Sequence, residues 1–212
     1  VCALTFPGDG EVHFKNRFVE SQERLEEEQE KKFLYRGQMG SITEDQKVRD
    51  SKAVQEAFAT GQLPKIKFRN PSNTNVWHWG DRLISAYETA IPYSLDPFTL
   101  ETLGKEDLDK TLKLKRLGAH FRIDTSDPSN PRLITGAFAR SPLKTSAALQ
   151  VNEYNWDMSL AKGKIFEVEG LTYFHDMAII DGYYVVHKSP FVTMNVKQAA
   201  AILSGTTGPD YN

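Results

Sequence analysis

Short β-forming runs, each closed by tight-turn residues, recur along most of this chain, and that punctuation restricts what it can fold into. Val1–Phe6 and Glu11–Val19 flank Pro7-Gly8-Asp9-Gly10, a hairpin signal. Val76–Trp79 and Leu83–Glu88 flank Gly80-Asp81, and Asp96-Pro97 closes the next run. Arg132–Ala139, Ala147–Tyr154, Lys164–Val168, Leu171–Ile180 and Tyr183–His187 follow in close succession. Asp181-Gly182, between the last two, favours a two-residue primed turn, because such a turn needs residues that tolerate positive φ. Antiparallel strands spaced this closely predict a mainly β fold: a sandwich, barrel or propeller.

One stretch breaks the pattern. Ser21–Lys32 is densely charged with high helix propensity, and Thr43-Glu44-Asp45-Gln46 reads as a capping box opening a second helix to about Ala59. The prediction is a helical insertion near residues 20–60, its charged run a solvated helix face.

Composition narrows the classes further. At 212 residues the chain can bury a good core in one or two domains. A formal charge of −2 with no basic stripe argues against nucleic acid as a partner. Cys2 is the sole cysteine, so no intrachain disulfide can form. No run reaches transmembrane length, and Ala53–Leu63 is too short and polar to establish membrane contact. The chain starts at Val1, and Ser204–Asn212 has the composition of an interior loop. The expectation is one domain over residues 1–212, incomplete at both ends.

Five histidines are present: His13, His78, His120, His175 and His187. None belongs to a local zinc pattern, so a metal site would have to be assembled from distant strands. There is no phosphate-binding glycine loop and no nucleophile elbow. His175 lies in a β-forming run, where a strand would fix the direction of the imidazole. A lone half-buried histidine is more often structural, so its weight depends on partners.

Those partners come from a resemblance. Asn73-Thr74-Asn75, the hairpin that runs on to Glu88, and Pro92-Tyr93-Ser94-Leu95-Asp96-Pro97-Phe98-Thr99-Leu100-Glu101-Thr102-Leu103-Gly104 resemble the carotenoid cleavage oxygenases (the carotenoid oxygenase, or retinal pigment epithelial membrane protein, family). Gly118-Ala119-His120 with Asp124 is similar to their A-H-P-x-x-D motif, and His175-Asp176 to their H-D-F-A-I-T motif. Asn16-Arg17-Phe18-Val19 matches a recurrent N-R-F-V, and all of these fall in family order. Phe121, Met177 and Ile180 depart from the usual proline, phenylalanine and threonine, and none of them is a ligand position.

The resemblance implies a partial seven-bladed β-propeller, roughly the first half of the blades. It implies ferrous iron, Fe(2+), held by four histidines, with His120 the first and His175 the second. It also implies Glu88 as a carboxylate hydrogen-bonded to a ligand imidazole, His175 in this chain, and Thr74 as a residue shaping the open coordination position. The implied activity is cleavage of a carbon–carbon double bond in a carotenoid or apocarotenoid by O2. No catalytic residue is implied beyond the metal centre. The remaining iron ligands are expected outside this chain, so the fragment alone is expected to be inactive. Alternatives within the family are retinoid isomerisation or a stilbene-like substrate. Outside it stands a non-catalytic propeller binding protein. A lipophilic substrate would suit peripheral membrane association, in plastid or cytoplasm.

His13, His78 and His187 match no ligand position. Trp77 and Trp79 alternate on a strand and read as packing residues, as do Tyr173 and Phe174. Asp176 reads equally as a backbone cap or as an orienting group.

Overall fold

A computed structural model describes residues 1–37, 42–61, 65–140, 144–180 and 182–188. Asp181 of the predicted turn, Leu63 and the run 204–212 lie outside the described residues. The fold is mainly β, all its strand ladders are antiparallel, and it forms part of a propeller.

Strands β1 (Cys2–Thr5) and β2 (His13–Asn16) form the first hairpin. After two helices come β3 (Asn75–Trp79), β4 (Arg82–Ala86), β5 (Tyr93–Leu95) and β6 (Thr102–Lys105), a four-stranded sheet in chain order. A second four-stranded sheet contains β7 (Phe121–Asp124), β8 (Arg132–Arg140), β9 (Ser146–Tyr154) and β10 (Leu160–Glu169). Last come β11 (Met177–Ile180) and β12 (Tyr183–Val186), paired across two residues with Ile180 opposite Tyr183.

The central strands of the second sheet, β8 and β9, are buried on both faces, and their sequence shows why. Side chains alternate along a strand, so a strand covered on both sides must be apolar at nearly every position. On β8, Leu133 joins a core with Trp77, Trp79, Ile84 and Leu117, whereas Ile134 and Phe138 join another with Leu171, Phe174 and Met177. Strand β9 divides in the same way, with Leu149 and Val151 towards the second core and Tyr154 towards the first. One face therefore packs on the β3–β6 sheet and the other on the β11–β12 hairpin.

Between Glu106 and Leu117 the chain crosses without strand structure, and β9 supplies the partners its backbone lacks. Gln150 Nε2 donates to Thr111 O at 2.7 Å, and Gln150 Oε1 accepts from Leu114 N–H at 3.1 Å. Tyr154 Oη lies 2.7 Å from Thr111 Oγ1 and accepts from Asn152 Nδ2 at 2.8 Å. Residues 150, 152 and 154 are thus polar or phenolic because their shared face meets buried backbone, which must be hydrogen-bonded. Leu108, Asp109 and Lys110 all have positive φ, a costly conformation for residues with a Cβ. Glu106 accepts from Leu108 N–H at 2.9 Å, and Arg82 pairs with both Glu106 and Asp109.

A separate compact unit spans Gln22–Asn70 and contains α1 (Gln22–Glu30) and α2 (Glu44–Thr60). The capping box forms as read: Thr43 Oγ1 accepts from Gln46 N–H, and Gln46 Oε1 accepts from Thr43 N–H. Gly61 ends α2 in the left-handed conformation. Glu27 accepts from the backbone N–H groups of Leu34 and Tyr35 at 2.9 Å each and pairs with Arg69. Among the described residues no helix is long and apolar enough to cross a membrane.

The elements differ from the sequence reading in two ways that bear on function. Glu88 lies in a turn two residues past β4, not at the end of a strand. His175 is not on a strand either, since β11 begins only at Met177. Leu171 and Phe174 are drawn into the core, and among the described residues the run before β11 pairs with no strand, so packing holds it there.

Candidate metal centre

Sheet topology brings three chain segments together. Thr74, His120 and His175 each stand just ahead of β3, β7 or β11, the first strand of a successive sheet. Strand β11 lies against β7. Asn75 Nδ2 donates to Ala119 O at 3.1 Å, tying the start of β3 to the segment carrying His120. The turn bearing Glu88 is fastened to the same segment by the Ala90–Leu117 bridge, in which Leu117 N–H donates to Ala90 O at 3.0 Å.

Two glycines make this closeness possible. Gly118 N–H donates to Gly136 O at 2.7 Å, and a Cβ on Gly118 would sit 2.5 Å from that oxygen. A Cβ on Gly136 would lie 2.4 Å from Phe174 Cζ. The tip of the Phe174 ring therefore packs against the glycine backbone, nearly fully buried, and seats the following residue, His175.

The two imidazoles lie edge to face, ring centres 4.5 Å apart and planes at 64°. Donor atoms of Glu88, His120 and His175 all fall within 4.8 Å of one another. Glu88 Oε1 and His175 Nδ1 are in close contact. A proton on Nδ1 directed at that carboxylate would leave Nε2 of His175 to bind a metal. Nε2 of His120 is buried and has no hydrogen-bond partner.

A buried, unpartnered ring nitrogen costs free energy unless something binds it. Two imidazoles aimed into one place, one of them backed by a carboxylate, form a donor set suited to a first-row transition metal such as iron. The residues present therefore fit an Fe(2+) site of the expected kind.

Tyr173 stacks on His175 with planes at 18° and meets Phe138 edge-on, so aromatic packing continues on one side of the imidazole. On the other side Asp176 accepts from its neighbour Met177 N–H at 2.7 Å and from Arg122 Nη2 at 2.5 Å. Partial burial would raise the Asp176 carboxyl, but the Met177 N–H and the Arg122 guanidinium hold it below the usual carboxylate range. Both readings of Asp176, backbone cap and orienting group, describe what it touches.

Thr74 is exposed one residue before β3, its backbone N–H donating to Ala86 O at 3.1 Å. His13, His78 and His187 are exposed and stand outside the cluster, whereas Trp77 and Trp79 are buried in the core. Sequence reasoning assigned no role to Arg122, Gly118, Gly136 or the side chain of Asn75. The only signal for the glycines was an interruption of β-forming runs, which elsewhere marks close backbone approach.

The family described as retinal pigment epithelial membrane protein matches residues 1–208. The apocarotenoid-15,15'-oxygenase of Synechocystis sp. is 34% identical over 202 residues, covering 92% of this chain and 37% of that protein. A chloroplastic carotenoid cleavage dioxygenase 7 of Oryza sativa subsp. japonica is 26% identical, covering 94% and 37%. The crystal structure of the cobalt-substituted Synechocystis enzyme superimposes with a TM-score of 0.73 at 32% identity, over 87% of this chain and 36% of that one. The chain belongs to the retinal pigment epithelial membrane protein family, that of the carotenoid cleavage oxygenases. It spans a little over a third of the length of these relatives.

Proposed function

We propose that the full-length protein is an Fe(2+)-dependent dioxygenase that cleaves a carbon–carbon double bond of a carotenoid or apocarotenoid with O2. On this reading residues 1–212 form part of a single propeller domain. The observation that carries it is the convergence of His120 and His175 with the buried Nε2 of His120 left unpartnered. His120 and His175 are two of the iron ligands, and Glu88 orients His175 through Nδ1. Thr74, ahead of β3, shapes the open side of the centre. Iron, when bound, supplies the binding and activation of O2. The protein's own part is to hold the imidazoles at fixed separation and, through aromatic packing around Tyr173 and Phe138, to keep one flank of His175 apolar.

The test is to express the full-length protein, measure bound iron, and identify products from β-carotene and apocarotenals under 18O2. One iron per chain and aldehyde or ketone products carrying the label are expected. His120→Ala and His175→Ala should each abolish both iron retention and cleavage. Iron retained in both variants would overturn the ligand assignment. Cleavage of a stilbene but of no carotenoid would overturn the substrate class and leave the centre standing.

A further inference from the structure

Both neighbours of His175 touch residues placed symmetrically about His120. Phe174, just before His175, packs against Gly118, two residues before His120. Asp176, just after it, pairs with Arg122, two residues after His120. Each histidine is thereby flanked by contacts to the segment carrying the other, one apolar and one ionic. The Arg122 guanidinium is itself anchored, because Nη1 donates to Phe121 O at 2.7 Å.

We infer that Arg122 and Asp176 are positioning residues that, with Phe174 wedged on Gly118 and Gly136, preset the separation of His120 and His175 independently of any metal. This rests on the proposed role of the two histidines as iron ligands. Glu88 contacts one ring, whereas the clamp fixes where the two rings stand relative to each other. Without the ionic arm, the chain just after His175 loses its side-chain tie to the His120 segment, while the Phe174 packing and the Glu88 contact remain.

The pair suits such a role better than a role in stability. Both side chains are more than a third exposed, and ion pairs so placed contribute little to folding. A loss of metal affinity without a loss of stability would therefore be its signature.

The experiment is a double-mutant cycle in the full-length protein, using Arg122→Ala, Asp176→Asn and the double variant. Asp176→Asn keeps an oxygen to accept from Met177 N–H while removing the charge. Co2+ binding is followed by its visible absorption bands, and the thermal midpoint is measured without metal. Each single variant is expected to weaken Co2+ binding about tenfold, as losses of groups that orient metal-binding histidines commonly do. The double variant should be no weaker than the worse single, and the metal-free midpoints should stay together. Wild-type affinity in both singles, additive losses, or losses that follow a falling midpoint would each overturn the clamp. Failure of the wild-type protein to bind Co2+ would instead sink the reading of His120 and His175 as ligands.

Discussion

The Glu88 carboxylate is largely enclosed, whereas the His175 ring it holds is 55% exposed, so at this contact the buried partner sets the position of the freer one. Replacing that carboxylate with an amide keeps an acceptor but removes the charge that backs the imidazole as a metal ligand. Glu88→Gln should therefore fold normally and lose iron to a competing chelator at a concentration roughly 10- to 100-fold lower than wild type. Unchanged chelator resistance would mean that Glu88 does not tune His175. Gly136 acts at greater distance. A methyl there meets Phe174 Cζ at 2.4 Å, so the ring must move and take His175 with it. Gly136→Ala should cost about 1–3 kcal/mol, as overpacking of a filled core does, and should also weaken metal binding. Denaturant unfolding and a Co2+ titration check the two effects separately. The meeting of Glu88, His120 and His175 was legible only through the order of family motifs, because no local spacing links positions 88, 120 and 175. Gly136 and Arg122 were not legible, since an isolated strand glycine and one arginine among many charged residues look alike wherever they fall.

Strands beside two-residue turns were readable to within a few positions for β3 and β4 around Gly80-Asp81 and for β12, whereas β11 ends where it was read but starts well after Leu171. Their turn chemistry is local, and so is the capping box of α2. The short strands β6 and β7 were not anticipated, because Thr102–Lys105 and Phe121–Asp124 owe their strand state to the neighbours they pair with. The run before β11 shows the reverse: despite its β propensity it pairs with no strand among the described residues. The polar face of β9 was equally silent, since Gln150, Asn152 and Tyr154 gain meaning only from the irregular 106–117 crossing they satisfy. Tyr154→Phe would leave Thr111 Oγ1 and Asn152 Nδ2 short of a partner in a buried place. A loss of about 1–3 kcal/mol is expected, read as a lower urea midpoint at unchanged slope. Burial also pushes the Tyr154 phenol up, with hydrogen bonds to Thr111 and Asn152 opposing it only in part. A raised folded-state value favours the folded protein below the unfolded value near pH 10. That contribution is lost as pH climbs through the folded-state value. Stability of the wild type should thus fall more steeply above about pH 10 than that of Tyr154→Phe.

At the scale of the whole molecule, the sheets stop at strands that have another side to offer. Strand β10 is the terminal strand of its sheet, and β12 pairs only with β11 among the described residues. Leu160 and Ile165 on β10, and Ile180, Tyr183 and Val185 on the last hairpin, are exposed. Unpaired backbone beside apolar side chains is a template for further strand pairing. In a propeller of four-stranded blades β10 already closes its blade on the outside, whereas β12 would pair with the next strand of its own blade, and the relatives are nearly three times as long as this chain. The 212-residue polypeptide produced by itself should therefore self-associate at micromolar concentration and above, the range in which exposed edges and apolar surface drive assembly. Light scattering after gel filtration should show mass rising with concentration, and a hydrophobic dye should bind. Val185→Lys places a charge on the β12 edge and should return the polypeptide towards monomer, as edge lysines do in natural sheets. The full-length protein should show neither dye binding nor concentration-dependent mass from these strands. A monomeric, dye-silent 212-residue chain would mean that the β11–β12 hairpin is not a surface awaiting further strands.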